Sequence, residues 1–425
     1  MNKALILSLA AAGCACAGSA DALLTSTPQP QDWVEAVKQA LVVYENKDTF
    51  VTKVNLVTRQ QWQMGVVQPN GSNRHFIKDG GTPYNDEFRR NWIGANVFMR
   101  TGTQFHTYVR IGGLPTRDTY SGGRTKKNYS YTGFYDIWLK QNISAVKGLT
   151  IRAGKFAPAF TSDFRMSNAN IPCVERSYVA NQFALDTNWG VEVNYTSPDK
   201  KNILYMQLMV NDRASNSCNH NHRDDYGRGE GFKGEFGWED ECFVIFGGTH
   251  KFNVSESGYH AISAEYMHDF STAYHGKNPG ANNCGFDFKD AVSIGYEIKQ
   301  GKLTFTSNLV AAFEQQDGNG TNNIGLQLQP VYAIHPHVDL VFRYTGMTGH
   351  DACKLGADRY ICTQTSSASW VDSLHAFYFG ANVYASAKHK DAAKIMFGAE
   401  YTTARKDGKD YYNGWEFTTA LRCNF

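Results

Sequence analysis

The residues able to do chemistry along this chain are mostly cationic, and they are spaced for a charged wall rather than for a catalytic centre. Arg110, Lys140 and Arg152 each fall on the polar face of a segment that alternates with period two. Arg165 and Arg176 lie in an aperiodic stretch, with Asp163 and Glu175 beside them. Guanidinium and ammonium groups around a water-filled passage attract anions and hold them by charge-assisted hydrogen bonds. A further group, Arg117, Arg124, Lys126 and Lys127, occupies one preceding loop and would form a basic outer vestibule. Acidic residues share the inward phase at Asp136, Glu192, Glu400 and Glu416, so the expected anion preference is mild. Lys155 sits in the run Gly154-Lys-Phe156, where strand phase points it outward unless the strand ends there.

Other chemistries find less support. Cys218 followed by Asn219-His-Asn-His222 and Arg223-Asp-Asp225 has metal-ligand residue types, but no second cluster of defined spacing follows. A polar loop accounts for it, and neither metal nor cofactor is expected. The chain has no Gly-x-Ser-x-Gly elbow, Walker loop or dinucleotide fingerprint. Nothing singles out an enzyme, although a barrel hydrolase can assemble Ser and His without a local motif.

The elements that must position these charges read as strands. Leu149 to Phe156 places Leu149, Ile151 and Ala153 on one face; Asn188 to Tyr195 places Trp189, Val191, Val193 and Tyr195 on one face. Between them run roughly 30 residues without period, and a compact domain seldom keeps so long a connection without a use for it. The expectation is that the loop from Ala157 to Asp186 folds back into a β-barrel and narrows it to an eyelet, the alternative being an ordinary surface loop. Sixteen strands are expected, at 52–66, 88–101, 104–113, 131–143, 149–157, 187–197, 202–212, 242–252, 258–269, 288–299, 302–314, 322–334, 337–347, 373–387, 391–405 and 412–425. Along most of the chain their connections alternate between short and long, as outer-membrane barrels require and sandwiches do not. The segment 231–238 also alternates; absorbed into a neighbour it leaves sixteen strands, and eighteen is the fallback.

Composition fits this all-β reading. The 425 residues include 26 Phe, 23 Tyr, 8 Trp and 39 Gly, with a formal charge of +2 that gives no sign of nucleic-acid binding. Mean hydropathy is −0.44, and past residue 22 no apolar run reaches the ~18 residues of a membrane helix. Lys3, the apolar run Ala4 to Ala17 and Ala20-Asp-Ala22 read as a secretory signal peptide over 1–22, with a lipoprotein at Cys14 or Cys16 as the alternative. Residues 23–50 form a lead-in with one amphipathic helix from Asp32 to Tyr44, where Asp32 and Glu35 are spaced as a capping box. That helix is a structural lead-in or a lumen plug. The barrel domain takes 51–425. Seven cysteines follow the signal peptide; Cys353 and Cys362, in one loop, are the expected disulfide. The last segment alternates Trp415, Phe417, Leu421 and Phe425 against Glu416, Thr418, Arg422 and Asn424, ending on an aromatic residue that resembles the signal read by the barrel-assembly machinery.

Gly154-Lys-Phe156, Ser167-Asn-Ala-Asn170, Val174-Glu-Arg-Ser177 and Asn188-Trp-Gly-Val191, in that order, resemble the phosphate-selective porin O and P family. The resemblance covers about 50 residues closely. It implies a Gram-negative outer-membrane channel, embedded in outer-membrane lipid and passing small hydrophilic solutes or anions, with phosphate as the narrower case. It also implies a homotrimer. No complete arginine ladder or lysine cluster of that family aligns here. A non-conducting surface or adhesion barrel remains the other reading.

Overall fold

A computed structural model describes residues 32–70, 84–111, 131–183, 187–210, 242–270, 288–315, 322–355, 358, 360–361 and 370–425. After helix α1 (Trp33–Ala40) and a short β1 (Val42–Glu45) come β2 (Val51–Pro69), β3 (Tyr84–Met99), β4 (Thr103–Ile111), β5 (Tyr131–Asn142) and β6 (Leu149–Phe156). A long connection carries two short helices, α2 (Ser162–Arg165) and α3 (Tyr178–Phe183). Then follow β7 (Asn188–Thr196), β8 (Asn202–Val210), β9 (Cys242–Ser255), β10 (Gly258–Asp269), β11 (Phe288–Gln300) and β12 (Leu303–Gln315). The last five are β13 (Asn323–His335), β14 (Val338–Lys354), β15 (Trp370–Tyr384), β16 (Ala393–Lys406) and β17 (Lys409–Asn424).

Strands β2 to β17 pair antiparallel with their chain neighbours, and β17 pairs with β2 from Asn424↔Arg59 to Gly414↔Pro69. The sheet is thus a closed barrel of sixteen strands, and closure leaves no unpaired edge. Each matches one expected strand. Strand β1 was not expected; it pairs with the start of β2 (Val42↔Asn55), continuing the course of β17 beyond the chain's end. The segment 231–238, Cys218, the 219–225 cluster, the signal peptide and Cys362 lie outside the described residues.

The pleat sorts residues by face. On β17, Trp415, Phe417 and Leu421 are exposed on the outer surface, while Glu416, Thr418 and Arg422 are buried inside. The outer face continues in Leu139, Val191, Leu208 and Phe246, and the inner in Gln63, Glu192, Gln207 and Gln327. An apolar exterior and a polar interior follow from period-two alternation on a closed sheet.

The interior has two halves. At the long-loop end, Met209, Phe243, Ile245, Met267, Met347 and Leu374 of the wall pack with Phe160, Tyr178, Val179 and Phe183 of the 157–187 connection. Leu355, Tyr360 and Ile361, from the β14–β15 connection, complete that apolar core, as does Cys353. Gly65 makes room: a Cβ there would lie 2.6 Å from the Tyr360 ring. Asp358 sits in the same segment, its carboxyl raised by burial and hydrogen-bonded to Glu416. At the short-turn end the interior is open.

Helix α1 docks outside the opening, on the β15–β16 turn. Asp32 caps it, accepting from the Val34 N–H at 3.0 Å, but Glu35 does not close the expected capping box. It turns instead to Lys388 and to His389 Nε2 (3.4 Å), while Ser386 donates to Asp32. Trp33 meets the terminal Phe425 ring edge-on at 5.9 Å. Hydrogen bonding to Lys388 lowers the Glu35 carboxyl and raises the Lys388 ammonium; Ser386 lowers Asp32. Lowered acids stabilise docking fully above their ordinary values, 3.8 and 4.5, and lose that contribution as pH falls through the lowered ones. The raised ammonium stabilises it fully below 10.5 and loses it as pH rises further. The protection factors of amides 33–40, taken against intrinsic exchange at each pH, should therefore be highest on a plateau between about pH 5 and 10, lower at either extreme, and flattened in Lys388→Gln.

Candidate functional site

The connection between β6 and β7 enters the barrel, and its route follows from the donors and acceptors the wall offers. Its first part is taken by β8, with Gln207 Oε1 accepting from the Ala159 N–H at 2.8 Å and Tyr205 donating to the Ala159 carbonyl at 3.0 Å. Asn308 Oδ1 accepts from Ser162 N–H at 2.5 Å, and Arg165 donates to Ser263 (2.8 Å) and pairs with Glu265. Asp163 accepts from Gln327 and from the Ser177 N–H, both at 3.0 Å, so it ties the two halves of the loop to β13. It is buried and is not part of the cavity lining.

The central turn, 168–176, is held mainly by cations of the opposite wall. Arg422, 0% exposed, donates to four loop carbonyls: Asn168 (3.3 Å), Ile171 (3.4 Å), Cys173 (3.4 Å) and Val174 (2.5 Å). Lys394 reaches the Ile171 carbonyl at 3.0 Å and Asn382 the Pro172 carbonyl at 2.9 Å. Arg343 bridges the Glu175 carbonyl (2.8 Å) and Glu400 (2.9 Å). The Glu175 carboxylate accepts from Gln63 (2.5 Å) and Arg89 (3.2 Å). Arg89 is the extra residue of a bulge between Gln61↔Arg90 and Trp62↔Phe88, which turns it inward beside Arg90. Burial pushes the Cys173 thiol up to about 12, which leaves it an inert donor to Gln329.

The loop leaves a cavity of about 840 Å³ against β2 and β4 to β12. Five basic side chains line it, Arg59, Arg152, Arg165, Arg176 and Lys251, with three carboxylates, Asp136, Glu192 and Glu297. Arg152 donates to Glu192 at 2.7 Å, and Asp136 meets His106 Nε2 at 3.1 Å. Arg176 donates to the Met166 carbonyl (3.0 Å) and to Asn168 Oδ1 (2.7 Å). Arg59 reaches Ser167 Oγ at 3.4 Å, and its Nε is buried without a hydrogen-bond partner.

Of the residues singled out in the sequence, Arg152, Arg165 and Arg176 line this cavity. Arg110 lies on the inner face with its guanidinium 5.1 Å from the Tyr135 ring, and Lys140 stands 5.7 Å over Trp138; neither is part of the lining. Lys155 is buried, in register with Ile137 of β5 and Trp189 of β7. Its neighbour Gly154 has φ +131°, and a Cβ there would sit 2.3 Å from the Ile137 carbonyl oxygen, so the motif's glycine is required by close approach of two strands. Arg117, Arg124, Lys126 and Lys127 lie outside the described residues. Arg59 and Tyr135 are additions. Tyr135 is the extra residue of a bulge between Tyr108↔Asp136 and Val109↔Phe134, a departure from period two that places it and Asp136 on the same cavity. No group of three or more metal-ligating side chains occurs among the described residues.

Arg422→Met removes the donors to four loop carbonyls and should destabilise the folded loop by ~3 kcal/mol or more. Trypsin cleavage after Arg165 or Arg176 in the folded, heat-modifiable barrel should become much faster. Unchanged protection would show that the loop does not depend on this cation.

No protein-family profile matches the chain, and no curated protein matches it by sequence. Its fold is similar to that of the outer-membrane channel DcaP of Acinetobacter baumannii, at 12% identity and TM-score 0.52 over 90% of this chain and 99% of that one. It is similar also to OprB of Pseudomonas putida (10% identity, TM-score 0.55, 88% and 94% covered). The anion-selective porin from Comamonas acidovorans aligns at 9% identity and TM-score 0.50, over 88% and 99%. These likenesses span the whole of each barrel and establish the architecture.

Proposed function

We propose that this chain is an outer-membrane porin, passing small hydrophilic solutes and ions down their gradients with a mild preference for anions. The observation that carries this is a closed barrel, apolar outside, whose infolded loop leaves a water-accessible cavity with basic groups in excess of acidic ones. Charge at the narrowest part of a passive pore sets which ions enter. The fold it shares with DcaP, OprB and an anion-selective porin supports the same reading. Export through an N-terminal signal peptide, insertion by the barrel-assembly machinery and a homotrimeric state belong to the proposal. Phosphate selectivity is its narrowest form: of the basic residues in the motifs that resemble that family, Lys155 and Arg176, only Arg176 lines the cavity.

A second reading rests on the apolar core at the long-loop end. Ions crossing a passage lined by it would be stripped of water, which opposes conduction at that end. On this reading the barrel is a non-conducting surface protein. Gly65→Leu separates the two, since its side chain occupies the position of the Tyr360 ring.

In planar bilayers under a salt gradient, the wild type should give discrete steps with an anion-weighted reversal potential. Arg152→Glu combined with Arg176→Glu should move that potential towards cations; an unchanged value would remove both residues from the eyelet. Gly65→Leu should enlarge the steps if the Tyr360 segment obstructs a pore. Absence of steps from both wild type and Gly65→Leu, with the barrel folded, would favour the surface-protein reading.

A further inference from the structure

We infer that the cavity binds an organic anion with a flat, unsaturated body, an aromatic carboxylate rather than a small inorganic anion. The inference rests on the porin reading in taking the cavity as part of a solute's path.

Three of the four arginines that line this cavity are laid on rings. The Arg59 guanidinium carbon lies 5.4 Å from the Trp92 centroid and 5.2 Å from that of Tyr108. Arg152 lies 3.9 Å over Phe156 and 5.8 Å from Trp138, and Arg176 lies 4.7 Å over Phe164. The rings form a continuous shelf: Trp92 and Tyr135 stack at 3.7 Å, His106 and Trp138 at 4.8 Å. Tyr108, Tyr135, Trp138 and Phe156 face the cavity from the wall, and Phe164 and Met166 face it from the loop.

Such a surface serves a strongly hydrated inorganic anion poorly. The face of an aromatic ring carries negative charge, so a bare anion gains nothing there and loses its water. A carboxylate on a ring satisfies both components, since its charge meets a guanidinium edge while its body covers aromatic and guanidinium planes. The anchor best placed for the charge is Arg59. Arg152 is paired with Glu192 and Arg165 with Glu265, whereas Arg59 has no carboxylate within ion-pair distance among the described residues and its guanidinium meets Ser167 Oγ and the rings of Trp92 and Tyr108. Arg59 stands at the end of the shelf, over Trp92 and Tyr108, so an anionic head there leaves the attached ring against the aromatic row.

The test is titration of the detergent-solubilised full chain, followed by tryptophan fluorescence and calorimetry, with benzoate, acetate, benzyl alcohol and inorganic phosphate. Benzoate should bind about tenfold more tightly than each of the others, the size expected for one guanidinium–carboxylate contact combined with ring contact. Arg59→Gln should weaken benzoate about tenfold and leave benzyl alcohol unchanged. Phe164→Leu, a milder change on the loop, should narrow the gap between benzoate and acetate. Phosphate binding as tightly as benzoate, or acetate matching benzoate, would overturn the inference. Binding is read without conductance, so the two proposals fail separately. Benzoate binding to a barrel that gives no steps would refute only the porin reading, and conduction without benzoate binding would refute only this one.

Discussion

A peptide segment placed inside a barrel faces the same demand as one placed in lipid: each backbone carbonyl removed from water needs a donor. The connection between β6 and β7 meets it with side chains instead of a ladder. Arg422, Lys394, Asn382 and Arg343 reach inward from β17, β16, β15 and β14 to a turn that has no secondary structure of its own between Ser167 and Ser177. Removing a single cation would orphan several carbonyls together, which makes the loop's position all-or-none. Everything else about the interior follows from where that turn is fixed: the apolar core above it and the open cavity below.

This gives the inward cations two separate tasks. Those of β14, β16 and β17 are consumed by loop carbonyls and by Glu400, and contribute position rather than field. Arg59 of β2, Arg152 of β6, Arg165 and Arg176 of the loop and Lys251 of β9 line the cavity instead. Buried ion pairs seldom add net stability, but a buried cation already bonded to carbonyls is costly to displace. The loop is therefore held from the far wall, away from the cations that line the cavity.

The fold was legible because its two signals are local. Period two marks each strand, and loop length by parity marks a barrel, and both survive without any knowledge of tertiary contacts. Strand β1 escaped because Leu41 and Tyr44 continue the helical period of α1, which ends at Ala40, and the strand exists only by pairing with β2. The Lys406–Lys409 hairpin at the long-loop end also breaks the parity rule. In the site, Arg152, Arg165 and Arg176 could be found from phase and loop position. Arg59 could not, since Arg59-Gln-Gln61 is polar on both faces and gives no inward direction. Tyr135 and Arg89 owe their orientation to bulges, where one added residue reverses the phase that sequence reading relies on. Asp163 and Glu175 were correctly placed on the loop, but carboxylates that look free in sequence are the natural acceptors for a loop that must bind its own wall.

The backing of arginine by aromatic rings bears on how a channel can be selective without becoming a trap. A guanidinium lying on a ring keeps its planar shape, needs little further ordering to bind, and presents its N–H edge to water. Paired to a carboxylate, as Arg152 is to Glu192, it holds a solute anion only weakly; unpaired, as Arg59 is, it holds one more firmly. One firm contact in a row of weak ones admits a solute and still lets it go, which is what conduction through a binding site requires. A cluster of bare arginines would bind more tightly and conduct less. On the porin reading, the alternation of rings with cations along the β2 to β6 wall would serve transport rather than capture.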